Sequence, residues 1–278
     1  MQIQTYHSLK RTTQYLIGFL LVIISFFPVI WIFLTSIKPT GEIYAWPPIF
    51  IPQEPTFAHY KTVLLGSNLS RYIINSIVIS TLSTASVVFL GSLAGYGLGR
   101  IKFKGSTFLL IFFLAMSMFP QLTIVPSIFV WFRKLGLLNN YLGLILAYSG
   151  LFSPMALWIM TTYFRTIPDE IEDSAKMDGC STFRFIWQIL VPLSAPGVIA
   201  AALVVFILTW MEFFLALIVL TKDALRTATV GIALYPGEYA FPWELITTAT
   251  FLAIIPIFLL TAFFQKQIIG GLTAGSIK

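Results

Sequence analysis

The sequence predicts an all-α membrane protein of six spans, and three observations predict it. Hydrophobic residues make up 58% of the 278 residues and charged ones 10%, against about 25% charge in soluble domains. Between successive charges lie uncharged stretches of 26 (12 to 37), 28 (72 to 99), 28 (105 to 132), 30 (135 to 164), 27 (185 to 211) and 21 residues (245 to 265). A helical span needs about 20. One long polar passage, Thr166 to Pro192, interrupts the apolar chain and sits in front of the fifth stretch, so the six spans form one domain, 1–278, with a polar loop at 166–192.

The first span reads from Tyr15 to about Ser36, behind Lys10 and Arg11; it is too long for a signal-peptide core and no small-x-small cleavage site follows. A stretch of about 35 residues with Pro39, Pro47, Pro48, Pro52 and Pro55 comes next, too Pro-rich to span and aromatic enough for an interface. The second span, Tyr72 to about Leu98, carries Gly91, Gly95 and Gly99 at four-residue intervals. Small residues so spaced let two helices approach closely, and a tight helix contact is favoured over a solute-lining role. The third span begins near Thr107 and is interrupted by Pro120 and Pro126, with Gln121 between them. Each Pro removes a backbone bond, so this stretch is either a plain kink or a wall of a wet cavity. The fourth runs from about Leu142 to Phe164, the fifth from about Ala195 to Leu220, and the sixth from Leu245 to Phe264 after a loop from Lys222 to Glu244.

Within the polar passage, two short helices with a break are expected. Thr166 caps the first, Pro168 occupies its first turn, Asp169 completes a capping box, and Gly179 ends it. Five of the eleven acids fall here, Asp169, Glu170, Glu172, Asp173 and Asp178, and Glu172 and Lys176 are spaced for an i,i+4 pair. Ser181 or Thr182 caps the second helix, which carries Phe183, Phe185, Ile186, Ile189 and Leu190 up to Pro192.

Asp173-Ser174-Ala175, then Gly179 four residues after Ala175, then Ile189 and Pro192, resemble the EAA loop of bacterial ABC importer permeases. That loop reads E-A-A, three residues, Gly, nine residues and I-x-L-P. Asp stands here for Glu, Ser174 for Ala and Val191 for Leu; Ala175, Asp178-Gly179, Ile189 and Pro192 match. IKPTGEIYAWPPIFIPQEPTFAHY (37–60), LGLLNNYLGLIL (135–146) and QIIGGLTAGSIK (267–278) resemble the first outer loop, the third-to-fourth connection and the carboxyl end of the MalG-type carbohydrate permeases.

The resemblance implies the MetI-like permease fold of a type I importer in a bacterial inner membrane, with both termini cytoplasmic. It implies four kinds of partner: a second, related permease chain, two ATP-binding cassette ATPase subunits, an external solute-binding protein and the bilayer. ATP and Mg would be held by the ATPase chains, this chain binding no cofactor of its own. The loop would be the coupling helix, with Asp173, Ser174, Ala175, Lys176, Met177, Asp178, Gly179 and Phe183 as its ATPase-coupling residues. Placing the termini, residues 99–105 and the loop inside puts ten of seventeen basic residues there, Lys102 and Lys278 among them, a weak positive-inside bias in the same direction.

Other classes fit less well. No G-x-x-x-x-G-K-[ST] occurs, one Cys and two His offer neither a disulfide framework nor a zinc cluster, and no nucleophile and base can be assembled, so no enzyme is expected. The net charge of +6 is scattered between spans, without the clustered basic face that nucleic acid requires. Glu212 is the one carboxylate within a span. With Thr209, Trp210 and Phe213 beside it, it suits a sugar's hydroxyls and flat faces and is a candidate for the solute path; pairing with a neighbouring helix, or a place near the outer headgroups, is weighed equally. Asn75, Ser76 and Gln121 are further path candidates. An ion- or proton-coupled carrier that titrates Glu212 is the alternative, though such carriers show several ionisable groups and internal repeats.

Overall fold

The computed structural model describes residues 2–101, 103–235 and 241–273. Lys102, Lys278, residues 236–240 of the loop before the sixth span and residues 274–278 of the tail lie outside the described residues, as do the side chains of Lys10 and Arg11. Among the described residues there is helix and no strand.

The chain falls into two compact units, 1–69 with 235–255, and 70–234 with 256–278. The first contains α1 (Gln2–Ser36), α2 (Thr40–Ile43), α3 (Ala58–Gly66) and the beginning of a last long helix. The loop between α1 and α3 is folded rather than loose. Lys38 is buried with its Nζ donating to the Ile49 carbonyl at 2.6 Å, and it lies 4.6 Å from the Trp31 ring centroid. Glu42 accepts from the backbone N–H groups of Gln53 and Glu54. Such bonds satisfy backbone groups that a segment outside any helix would otherwise leave without partners.

The second unit is built on α4 (Leu69–Gly99), α5 (Ser106–Ser117), α6 (Gln121–Lys134) and α7 (Tyr141–Phe164). The polar passage follows as α8 (Asp169–Met177), α9 (Thr182–Phe185), a π turn at Ile186–Leu190 and α10 (Val191–Leu193); then come α11 (Ala195–Met211), α12 (Phe214–Val219) and α13 (Ala228–Ala233). The last helix, α14 (Trp243–Thr273), runs through Pro256. Among the described residues, four helices are long and apolar enough to cross a membrane unaided, within α1, α4, α7 and α14; counting each bent pair as one, α5 with α6 and the 182–193 segment with α11, gives six.

The proline-marked third span breaks once, not twice. α5 and α6 meet at 89° around Pro120, whereas Pro126 is accommodated inside α6. The fifth span breaks where no Pro or Gly stands: α11 stops at Met211 and α12 starts at Phe214.

The core of this unit gathers Ile79, Val87, Leu144, Tyr148, Met160, Phe164, Ala201, Val205 and Leu215 from α4, α7, α11 and α12. The glycine stripe packs as its spacing predicts. A Cβ on Gly95 would lie 3.3 Å from Met160 and Phe164, and one on Gly99 would lie 3.2 Å from the Thr161 carbonyl. Gly197 of α11 leaves still less room, since a Cβ there would fall 2.1 Å from the Tyr163 ring.

Candidate functional site

The two ends of α8 are finished differently. At the start, Pro168 is the N-cap with no side-chain bond, and the Thr166 hydroxyl turns back to the Tyr163 carbonyl at 2.7 Å. The expected capping box is therefore absent: Thr166 closes α7 instead of opening α8, and Asp169, Glu170 and Glu172 face the positive end of the helix dipole. At the other end Gly179 has φ +73°, its N–H reaches the Lys176 carbonyl at 3.0 Å and the Cys180 N–H reaches that of Ala175 at 2.9 Å. This pair of bonds is the Schellman closure, which needs a residue tolerant of the left-handed conformation. Ser181 caps α9 by accepting from the Arg184 N–H, as expected.

α8 has two faces. Asp173, Ser174, Lys176, Met177, Asp178 and Gly179 are exposed, Met177 at 89%, and Phe183 continues this surface. Ala175 departs from the expected set: it is buried, at helical spacing from buried Glu172, and so packs inward.

The inward face is held by an ionic knot, of which the sequence offered the Glu172–Lys176 pair but neither Tyr96 nor Arg100. Glu172 accepts from the Tyr96 hydroxyl at 2.9 Å and from Arg100 Nε at 3.0 Å, and pairs with Lys176 at 2.9 Å. The Arg100 guanidinium also donates to the carbonyls of Ile167 and Pro168 and lies 3.1 Å from Asp169. Burial alone would raise the Glu172 pKa, but bonds from Lys176, Tyr96 and Arg100, with the Lys176 charge, hold it below the ordinary glutamate value. Arg165 reinforces the corner by donating to the Leu98 carbonyl at 3.1 Å.

The path candidates fall into separate places. Asn75 and Ser76 are buried and tie down the segment after α12. The Asn75 amide donates to the carbonyls of Ala224 and Arg226 at 3.1 and 2.9 Å and accepts from the Tyr141 hydroxyl at 2.7 Å; Ser76 accepts from the Ala228 N–H at 2.8 Å. Gln121 is exposed at the first turn of α6. Thr209 is buried and bonds its own helix at Val205 and Phe206, and Trp210 is buried and stacks on Phe206. Phe213 is half-buried beside Phe214.

Glu212 is not on a continuous helical face with Thr209 and Ala216, because the helix breaks at this residue. Its buried carboxylate accepts from Tyr148 at 2.7 Å and from the N–H groups of Leu215 and Ala216 at 2.9 and 3.1 Å. It thereby satisfies donors that the break would leave orphaned in a dry setting. Of the roles weighed for it, pairing with a neighbouring helix describes the bonds observed.

Residues 88–272 match the family described as binding-protein-dependent transport system inner membrane component. The chain is 37% identical over 268 residues to the sulfoquinovosyl glycerol transport system permease protein SmoH of Agrobacterium fabrum, covering 96% of this chain and 94% of that one. It is 37% identical over 273 residues to the trehalose/maltose transport system permease protein MalG of Thermococcus litoralis, covering 97% and 98%. Its fold is similar to a crystal structure of a bacterial ABC transporter that imports the acidic polysaccharide alginate, with TM-score 0.79, 21% identity and coverage of 94% and 96%.

Proposed function

This chain belongs to the family of binding-protein-dependent transport system inner membrane components, and from that premise we propose that it conducts a sugar or sugar-like solute and takes its drive through residues 166–192. It is a multi-pass membrane permease subunit of an ABC importer and not an enzyme. The carrier reading of Glu212 is set aside: the relatives are permeases of transport systems rather than ion-coupled carriers, and the carboxylate is engaged in three hydrogen bonds. Support for a sugar comes from the names of the relatives, which transport a sulfoquinovosyl glycerol and trehalose or maltose.

The loop's place in the scheme rests on one observation. Seven of the eight coupling residues, Asp173, Ser174, Lys176, Met177, Asp178, Gly179 and Phe183, share the exposed side of α8 and α9, while the opposite side is bonded down to Tyr96 of α4 and to Arg100 beyond its end. A short capped helix with a free polar face carrying one large apolar side chain at its tip suits insertion into a groove of another protein. Two ATPase subunits, a second permease chain completing the path, and a solute-binding protein on the far side are the partners. The termini and the 166–192 segment lie in the cytoplasm. ATP closes the ATPase pair and displaces α8, which turns the path between inward- and outward-facing. Moving such an equilibrium from 1:99 to 99:1 takes about 5.5 kcal/mol of differential binding, so contacts at Met177 and Phe183 must differ between states.

The test is a cysteine crosslink from Met177→Cys in a Cys180→Ser background, in membranes holding the whole complex, with uptake of labelled disaccharides measured alongside. Capture of the ATPase subunit and uptake that needs both ATP and the binding protein are expected. Capture of nothing, or labelling of position 177 from the external face, would overturn the assignment.

A further inference from the structure

The inward side of the 166–192 segment rests on α4 at three levels. Nearest the Gly99 end, Arg100 and Tyr96 hold Glu172. One step further, the Phe185 ring meets the Tyr96 ring edge-on at 6.2 Å. Further still, Trp187 stacks on Phe89 at 5.3 Å and 14°. Phe89, Tyr96 and Arg100 stand seven and four residues apart, which puts them on one stripe of the helix. α4 is in turn fastened to α7 through Gly95 against Met160 and Phe164, Gly99 against Thr161, and Arg165 on Leu98.

The connection onward to α11 is of another kind. It passes through the π turn at Ile186–Leu190 and an 87° bend between Leu193 and Ala195. Out-of-register turns and sharp bends are where helices yield rather than transmit.

We infer that α4 is the principal receiver of the displacement delivered to α8, and that Tyr96 and Arg100 are positioning residues that make α4, α7 and α8 one rigid block. The inference rests on the proposal that α8 seats on an ATPase subunit. Sequence continuity points instead to α11, which follows the loop directly; the bonds point to a helix that precedes it by two spans. Arg100 grips two carbonyls and two carboxylates of the α8 entry at once, and its planar fork makes it unsuited to replacement by Lys. Without the Glu172 knot, α8 rocks on its seat and its motion is spent locally.

The experiment uses the full complex in nanodiscs with the binding protein loaded. Tyr96→Phe, Arg100→Lys and Glu172→Gln are compared for the crosslink from position 177, for ATPase stimulation and for solute moved per ATP. An unchanged crosslink with solute per ATP down more than tenfold in Arg100→Lys and Glu172→Gln, and a smaller loss in Tyr96→Phe, is the expected result. Solute per ATP within twofold of the parent in assembled variants would overturn the inference. A parent complex that gives no crosslink at 177 would overturn the seating itself and is told apart by that readout.

Because a variant that fails to assemble reports nothing on coupling, spin-label distances in the otherwise unaltered complex supply a second measurement. The spacing between labels at exposed Ile101 and Asp173 is expected to hold between nucleotide-free and ATP-bound states. A change in that spacing would overturn the rigid block.

Discussion

The Tyr148 hydroxyl donates to Oε2 of Glu212 across 2.7 Å, tying the middle of α7 to the break between α11 and α12. Both residues are buried, and the carboxylate's remaining bonds go to two backbone N–H groups of α12. A buried partner left unpaired costs about 1–3 kcal/mol. Glu212→Ala is therefore expected to lower the thermal stability of the detergent-solubilised protein markedly, because it orphans three donors, and Tyr148→Phe to lower it less. If Tyr148→Phe shifted the apparent affinity for solute while leaving stability untouched, the pair would belong to the path rather than to the frame.

The close approach of α4 to α7 makes a second, internally controlled test. Gly95→Val places new atoms where a Cβ already lies 3.3 Å from Met160 and Phe164, and overpacking of this kind costs about 1–3 kcal/mol. Gly97, two residues on, has nothing within 4 Å of its would-be Cβ. Gly97→Ala is expected to be neutral or to stabilise by up to about 1 kcal/mol through helix propensity. Equal losses from the two substitutions in a thermal unfolding assay would show that the stripe is not a packing seam.

How much of this was legible beforehand depends on whether the signal is local. The spans, the left-handed stop at Gly179, the Glu172 to Lys176 pair and the glycine seam were legible, because each depends on spacing along a single helix. The Ser181 cap was legible for the same reason. Thr166 misled because a cap is chosen by the backbone turn that precedes it, and Pro168 moves that turn two residues on. Arg100 and Tyr96 were hidden because their partner lies more than 70 residues away. The break at Glu212 carried its mark in plain view, a carboxylate inside an apolar run, whose oxygens accept from the first N–H groups of α12.

Acid should loosen the α8 seat, with a sign fixed by Glu172. Its pKa lies below the ordinary 4.5 because Lys176, Tyr96 and Arg100 favour the charged form more than burial disfavours it. The stabilisation it brings is fully present above the ordinary value, at neutral pH, and is lost as the pH falls through the lowered value. Protease access to the 166–181 segment in inverted vesicles is expected to stay constant from neutral pH down through the ordinary glutamate range and to rise only below it. Glu172→Gln should raise access at neutral pH and flatten the response. A midpoint at or above the ordinary glutamate value would contradict the knot.

The segment that follows α12 is pinned by α4 through Asn75, whose amide gives two hydrogen bonds to the carbonyls of Ala224 and Arg226 and takes one from Tyr141. Only a side chain that both donates twice and accepts fits this position. Asn75→Asp keeps the acceptor for Tyr141 but presents oxygen to two carbonyls, so it is expected to free the segment as much as Asn75→Ala does, or more. Gly231→Ala should act on the same segment from the other side, since its Cβ would fall 2.0 Å from the Tyr72 ring. Hydrogen exchange across 223–231 checks all three, with faster exchange expected in each. Unchanged exchange together with a weakened response to solute in Asn75→Ala would return Asn75 to the lining of the path.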